Sequence, residues 1–466
     1  MTRPQPGDAT LLIRKSQCLV RAGNPLAALQ IVEEALAAGA GTPEQLTALA
    51  SVLFHCGRPG AANELYARVA VLDPDNLESL RGLALGHRAL GRIAEAEIAA
   101  NQSLKKDPDD FEMYHLRSSL RRQSTASNHV PELERLLGRN LDNWRGRVQL
   151  GYALAKELED LGEHDRSFAR LREAASLRRS KMKYDVRQDI AMLREIQSAF
   201  TYAALTSRKE GGSPSTEPVF VVGLPRTGST LVERILSSHP EVESRGELNT
   251  FALELERALS ARHGNALSRR LQLPHFALML NMSELGSGYV ERVNQSGRSP
   301  RHFIDKMPIN ALYAGLIHLA LPNAKIVLVE RDPVDTCYAM YKFLFNNAYP
   351  FSYDLEEVAH YYLAHRDLMD YWSAVLPEQA FLRVQYERLV SDPGTQIPRM
   401  LNHLGLEMTA ACLNFDRNPS ASMTGSASQV RQPIYQSSVG MWRNYRKQLA
   451  PLLGVLGSGG VTVPAD

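Results

Sequence analysis

Arg226, Thr227, Ser229 and Thr230 stand together in a turn bracketed by glycines, Gly223-Leu-Pro-Arg-Thr-Gly228-Ser-Thr. Guanidinium and hydroxyl groups, with the exposed N–H groups of a turn, are the natural ligands of an anion. An apolar, β-branched run, Val219–Val222, precedes the turn, and Leu231, Ile235 and Leu236 follow at helical spacing. The order is strand, loop, helix N-terminus, which aims backbone N–H groups and a positive dipole end at one spot. The glycine spacing is that of the phosphate-binding loop G-x-x-x-x-G-K-[ST], but Ser229 fills the lysine position. In nucleoside-triphosphate enzymes that lysine reaches the transferred phosphate and the next hydroxyl holds magnesium. Its replacement argues against ATP chemistry. The donors present suit a 5′-phosphate joined to a singly charged sulfonate, which needs less charge neutralisation and no metal. The plain alternative is a turn that merely joins strand to helix.

Two more cations sit at predicted strand ends. Lys325–Glu330 reads as a buried strand that delivers Arg331, after which Asp332-Pro333 opens a helix. An arginine so placed can fork onto a phosphate; it can equally pair with Asp335 one helical turn on. Lys306 leaves the short strand His302–Asp305 just before Met307-Pro308. It can point into the crevice at the strand ends, or snorkel at the surface.

The elements that must hold these groups alternate. Strands are predicted at Val219–Gly223, His302–Asp305, Lys325–Glu330 and Ala380–Val384. Helices are predicted at Ser229–Ser238, Ile309–Leu319, Pro333–Phe345, Leu355–Leu376 and Gly394–Leu404. Alternation of this kind predicts an α/β domain with a central parallel sheet, whose ligands bind at the carboxyl ends of the strands.

The stretch FVVGLPRTGSTLVERILSSHP resembles the 5′-phosphosulfate-binding loop of the sulfotransferases. The resemblance runs from Pro218 to Leu453, a catalytic domain similar to that of the protein-tyrosine sulfotransferases. It implies 3′-phosphoadenosine 5′-phosphosulfate as co-substrate, without a metal. By resemblance, Arg226, Thr227, Gly228, Ser229 and Thr230 hold the 5′ end and Arg331 the 3′-phosphate. Glu247, in Ser244-Arg245-Gly246-Glu247, takes the position of the general base that removes the acceptor's proton. Lys306 matches the lysine that stabilises charge on the leaving group. Tyr386 resembles an aromatic near the adenosine. The stretch from Ser426 to Arg443 resembles a segment that closes over the nucleotide, with Ser426 as the active-site serine and Ser428 as its alternative. Where the family has a serine eight residues after the arginine, this chain has Ala339, which implies that the 3′-phosphate is held less tightly or by a substitute such as Arg443 or Lys447.

The N-terminal half repeats itself. Gly23, Gly57 and Gly91 are 34 residues apart, as are Ala28, Ala62 and Ala96, and the Asp-Pro-Asp runs at 73 and 107. A period of 34 resembles the tetratricopeptide repeat, a helix–turn–helix unit. It predicts an α-solenoid with turn glycines, alanines at close helix approaches and prolines after second helices. The fourth unit, from about Phe111, has QSTASNHVPE in place of its turn. In the fifth, from about Trp144, Gly162 comes four residues late and predicts a longer first helix. The expected domains are 9–204 for the repeats, 205–217 for a Gly/Ser/Pro-rich linker, 218–453 for the catalytic domain and 454–466 for a disordered tail. With the repeats in front, the chain resembles the bacterial tetratricopeptide–sulfotransferase proteins. The similarity of Glu247 and Lys306 to the protein-tyrosine sulfotransferase pair, with a repeat domain able to hold a polypeptide, implies a peptide or protein tyrosine as acceptor.

Length, 466 residues, calls for two or three domains, and 44% apolar with 22% charged residues is ordinary for a globular chain. A net charge of +2 leaves any electrostatic function local and suggests no nucleic-acid partner. Cys18, Cys56, Cys337 and Cys412 form no close pair, so a disulfide framework or metal site is not expected. The first residues have no apolar signal core, and no apolar run is long enough to span a bilayer. The expected compartment is the cytoplasm. His239 reads as a helix C-terminal partner, and His360 and His365, five apart, lie on different helix faces. The rival readings are a small-molecule or nucleotide kinase, and an interaction protein with a degenerate nucleotide-binding domain.

Overall fold

Thirty-four-residue units form helix pairs because each carries its own start and stop signals. In the computed structural model, which describes residues 6–139, 141–207, 211–264, 270–294, 300–345, 348–425, 427 and 429–463, the first pair is α1 (Pro6–Arg21) with α2 (Pro25–Ala37). There follow α3 (Pro43–His55) with α4 (Pro59–Leu72), and α5 (Leu77–Leu90) with α6 (Ile93–Lys106). Then come α7 (Phe111–Ser119) with α8 (Val130–Leu137), and α9 (Trp144–Asp160) with α10 (His164–Ser180). Side-chain caps open many of them: Thr42 with Gln45 forms a capping box on α3, and Asn76, Asp110 and Asn143 cap α5, α7 and α9. The turn glycines Gly23, Gly57, Gly91 and Gly162 all take positive φ, between 70° and 80°. Ala28, Ala62 and Ala96 are wholly buried, the close approach that the spacing predicted. At 17 residues α9 is longer than α3, α5 or α7, as the late glycine requires.

The chain folds as two compact units, Met1–Leu177 with Pro419–Arg431, and Arg178–Asn418 with Gln432–Asp466. The division falls ahead of the expected linker at 205–217. The reason is that α11 (Val186–Ala199) packs on the long helix α19 (Leu355–Val375) of the second unit. Arg179 forks onto Glu357 at 2.6 and 2.7 Å, and Phe200 meets Trp372 edge-on at 6.0 Å. After the short α12 (Tyr202–Thr206), the described part of the linker is tied down too. Ser213 N donates to Ala320 O at 2.8 Å.

Residues 419–431 join the repeats although they come late in the chain. Ser422 N donates to Ala89 O at 3.0 Å and Arg431 Nη2 to the same oxygen at 3.2 Å. Gly91 admits the arginine: a Cβ there would lie 2.4 Å from Arg431 Cδ.

Among the described residues, five strands build one sheet: β1 (Pro218–Gly223), β2 (Val242–Ser244), β3 (His302–Asp305), β4 (Lys325–Glu330) and β5 (Phe381–Gln385). Their order is β2-β3-β1-β4-β5 and every pairing is parallel. β1 is buried along its whole length, as a central strand covered on both faces must be. Around the sheet lie α13 (Ser229–Leu236), α14 (Thr250–His263), α15 (Leu273–Ala277), α16 (Met282–Asn294), α17 (Ala314–Ala320) and α18 (Pro333–Tyr341). After α19 come α20 (Tyr386–Ser391), α21 (Pro393–His403), α22 (Ala410–Leu413) and α23 (Ala450–Ser458).

The sequence reading missed β2, α14, α15, α16, α20, α22 and α23, and ran the helix from Pro333 past its end at Tyr341. The segment before α17, Pro308–Tyr313, is 3₁₀ rather than α. The expectation of a disordered tail after Leu453 is corrected as far as Val463. Leu452 and Leu456, four apart on one face, are fully buried as α23 packs against α19.

Gly57 isolates the conformational cost of a repeat turn, because a Cβ there meets nothing within 4 Å while φ is +73°. Gly57→Ala should destabilise the chain by about 1 kcal/mol. Gly60→Ala, in equally open space inside α4, should be neutral or stabilise by up to about 1 kcal/mol. Circular-dichroism melts of both variants test the pair; equal effects would remove the left-handed turn as their cause.

Candidate functional site

The loop between β1 and α13 is closed on itself. Thr227 Oγ1 donates to Leu224 O at 2.8 Å, and Arg226 takes φ +68°, rare for a residue with a side chain. Backbone strain of this kind concentrates at ligand-holding turns. Gly228 has φ +101° and a Cβ on it would lie 2.4 Å from the Tyr386 ring. The glycine therefore serves two needs, the turn and the close seat of Tyr386 at the start of α20. Ser229 and Thr230 are buried in the first turn of α13, where backbone N–H groups have no intrahelical acceptor.

The Arg226 guanidinium lies over the Phe343 ring at 4.8 Å. Burial pushes it down to about 10, and Arg331 adds to that, so it remains a cation at neutral pH. Arg331 extends from the end of β4 above the Tyr386 ring, 5.1 Å from its centre. Its Nη2 donates to Ser438 O, its Nη1 lies 3.5 Å from Arg226 O, and Asp335 is 3.6 Å away. The ion pair with Asp335 and the gathering of Arg331 at the loop are thus both present. Ala339 is buried in α18, so that position offers a methyl group and no hydroxyl.

Asp335 does more than pair with Arg331. It accepts from Gly440 N at 2.6 Å and from Trp442 N at 3.3 Å, while Tyr386 and Ser438 share a hydroxyl–hydroxyl bond at 3.0 Å. These contacts bind residues 438–442 to α18 and α20. Arg443 stands exposed, stacked on Trp442 at 5.2 Å, and Arg331's partners do not include it. Ser426 and Ser428 lie outside the described residues.

The second half of the site comes from the β2–β3 edge of the sheet. Parallel pairing sets Ser244 against Ile304, so the residues that follow each strand, Glu247 and Lys306, come face to face. Lys306 N donates to Gly246 O at 2.9 Å, and its ammonium forms an ion pair with Glu247. The Lys306 side chain is 1% exposed and that of Glu247 47%. Glu233, on α13, lies 4.0 Å from the same ammonium. Lys306 is thus no snorkelling surface lysine but a buried cation between two carboxylates.

Sequence reasoning passed over Asp305, Asp335's second role, and Glu233. Asp305 is fully buried at the end of β3, where Tyr289 Oη donates to it at 3.0 Å and Asn310 Nδ2 at 3.2 Å. Burial lifts its carboxyl to about 7. The signal available in sequence was a lone Asp before Lys306, which says nothing of burial. His239 is buried with Nδ1 accepting from Glu241 N at 3.2 Å, a local turn contact. His365 is buried neutral, pushed down to about 4 by burial. A cleft of about 460 Å³ lies at the opposite ends of the strands, lined by Arg301, His302, Lys325 and Ala380 among others, and includes none of the groups above. Among the described residues no helix is long and apolar enough to cross a membrane.

Residues 218–410 match the model of the sulfotransferase family, and residues 53–120 that of the tetratricopeptide repeat. An uncharacterized protein of Aquifex aeolicus is 28% identical over 90% of this chain and 55% of its own length. A protein described as a putative protein-tyrosine sulfotransferase of Caenorhabditis briggsae is 26% identical over 51% of this chain and 88% of its own. The protein-tyrosine sulfotransferase of Drosophila melanogaster is 22% identical over 53% of each. The chain thus spans about half the length of the Aquifex and Drosophila proteins. The solved sulfotransferase domain of a Synechococcus PCC 7002 olefin synthase aligns at 17% identity over 55% of this chain and 98% of its own, with a TM-score of 0.38.

Asp305 gives a pH test of the site's interior. Its folded value near 7 exceeds the unfolded value of about 3.9, so the folded chain holds a proton there that the unfolded chain has released. Stability from this group is therefore lost as pH rises from about 4 to about 7. Asp305→Asn, which still accepts from Tyr289 and Asn310, should gain on wild type by on the order of 2 kcal/mol between pH 5 and pH 8 in urea unfolding. A gap that is the same at both pH values would show that Asp305 is not held neutral.

Proposed function

We propose that this chain, a sulfotransferase-family domain joined to tetratricopeptide repeats, moves a sulfuryl group from 3′-phosphoadenosine 5′-phosphosulfate to an acceptor hydroxyl, with a peptide or protein tyrosine as acceptor. The observation that carries the reading is the contact of Lys306 with Glu247 in the same unit as the Arg226 loop. One group can carry charge on the sulfonate side and the other can take a proton on the acceptor side. An anion loop alone would support only binding.

The roles follow from the chemistry. Arg226, with the N–H and hydroxyl groups of Thr227, Gly228, Ser229 and Thr230, holds the 5′-phosphate and sulfonate. Arg331 takes the 3′-phosphate and Tyr386 lies beside the nucleotide; the Ser438 carbonyl now on Arg331 yields to the stronger anionic acceptor. Ala339 offers that phosphate no hydroxyl, which leaves a larger share to Arg331. As a sulfonate oxygen takes up the Lys306 ammonium, Glu247 is released toward the acceptor. The acceptor oxygen attacks sulfur in line, the bond from sulfur to the bridging oxygen breaks, and its electron pair stays on the 5′-phosphate. The acceptor's proton goes to Glu247, and Lys306 offsets the charge gathering on the leaving oxygen. Ser426 is the candidate for a further hydrogen bond to that group, and Ser428 its alternative.

An aromatic acceptor is supported by the surroundings of the pair. Phe343 lies under Arg226, Phe343 meets Phe345 at 4.7 Å, and Phe345 meets Tyr349 at 4.9 Å. The Tyr349 phenol is raised by burial first and by the charge of Glu247 next. A chain of rings leading from the proposed sulfonate ligand Arg226 suits a phenol better than a sugar. The names of the nematode and fly relatives support the same class, and a repeat domain able to hold a polypeptide supports a peptide acceptor.

Incubation of the full chain with labelled 3′-phosphoadenosine 5′-phosphosulfate and a panel of tyrosine peptides, carbohydrates and small phenols tests the reading. Tyrosine peptides should be labelled, and Glu247→Gln should lower kcat by about 10²- to 10⁴-fold while binding of 3′,5′-phosphoadenosine changes little. Magnesium-dependent ATP binding without binding of 3′,5′-phosphoadenosine would overturn it.

A further inference from the structure

Glu233 has no role in the chemistry above, yet it is connected to both of its partners. It sits in α13, the helix that begins at the anion loop, and its side chain is 12% exposed. Burial raises its carboxyl, and Lys306 opposes that rise. One oxygen accepts from Ser244 Oγ at 2.5 Å. The other lies 4.0 Å from the Lys306 ammonium. Ser244 Oγ in turn accepts from Gly246 N at 3.1 Å, and Gly246 O accepts from Lys306 N at 2.9 Å. Glu233 thus reaches Lys306 directly, and reaches the backbone turn that presents Glu247 through one hydroxyl.

We propose that Glu233 is a positioning residue for sulfuryl transfer: it is the standing counter-ion of Lys306, and through Ser244 it anchors the turn that carries Glu247. The inference rests on the transfer reading given above. Its physical necessity comes from burial. A lysine with 1% of its side chain exposed needs a carboxylate close by to stay charged. Glu247 cannot fill that place throughout the reaction, because it must turn to the acceptor and take a proton. Glu233, held by Ser244 and only 12% exposed, keeps Lys306 charged and fixed while Glu247 is engaged. It does not itself touch the reacting atoms. The same carboxylate locks α13 to the Ser244–Glu247 turn, so the anion loop and the base are set against each other by a single group.

Glu233→Gln separates charge from shape, since glutamine still accepts from Ser244. In the full chain it should lower kcat, counted per site that binds 3′,5′-phosphoadenosine, by about 10- to 100-fold, with the donor KM within about threefold of wild type. Glu233→Asp, which restores a carboxylate, should recover part of the loss. A merely structural glutamate would reduce the number of binding sites and leave kcat per site unchanged, and kcat per site within twofold of wild type overturns the proposal. A cycle of Glu233→Gln, Lys306→Met and the double variant, read by urea unfolding, does not depend on turnover. Non-additive losses are expected, and additive losses overturn the counter-ion role even if the chain transfers no sulfuryl group. Absence of transfer by wild type to every acceptor, with a coupled cycle, overturns the transfer reading instead.

Discussion

The site depends on one constraint: a lysine is buried almost completely, and a buried ammonium must be surrounded by carboxylates or give up its charge. Lys306 meets this with Glu247 on one side and Glu233 on the other. Three elements are fixed by that requirement. β3 delivers the lysine, the turn after β2 delivers Glu247, and α13 delivers Glu233. Two parallel strands in register and the helix after the anion loop are therefore tied to one point. The pairing of β2 with β3, only three residue pairs long, is what aligns the two chain segments.

The side of the site at the β1–α13 loop is organised by cations stacked on rings. Arg226 lies over Phe343 and Arg331 over Tyr386, while Tyr386 itself sits where Gly228 lacks a side chain. A ring under a guanidinium fixes its plane without occupying its N–H donors. Arg331's donors rest on the carbonyls of Ser438 and Arg226. Asp335 holds the other side by binding the backbone at Gly440 and Trp442. A single buried carboxylate so connects the start of α18 with a segment more than a hundred residues later.

Each unit also shows how local signals can misplace a boundary. The Gly/Ser/Pro composition at 205–217 reads as a joint, yet Ser213 is buried and bound to Ala320 O. The segment 419–431 reads as part of the catalytic half, yet it belongs to the repeat unit, because Arg431 finds an acceptor in Ala89 O and room above Gly91. Composition reports what a chain segment tolerates; the partners it finds are non-local.

By itself the sequence determined the repeat and several sharply bounded elements of the sheet domain. The 34-residue spacing of glycine and alanine set the helix pairs, since a left-handed turn needs glycine and a close helix approach needs a small residue. The β-branched run into a glycine loop set β1, Arg226 to Thr230 and the start of α13. Strands β3 and β4 were legible to the residue, because buried parallel strands are short apolar runs with sharp ends. Only the tertiary structure decided which charges meet. β2 is too short to show a period, so nothing in sequence announced that Ser244 would lie against Ile304. Glu233 looked like any polar residue on a helix, and Asp305 like any acid before a lysine. Their burial, and hence their charge state and the role of each, comes from packing between segments tens of residues apart. A one-dimensional pattern carries no record of those distances.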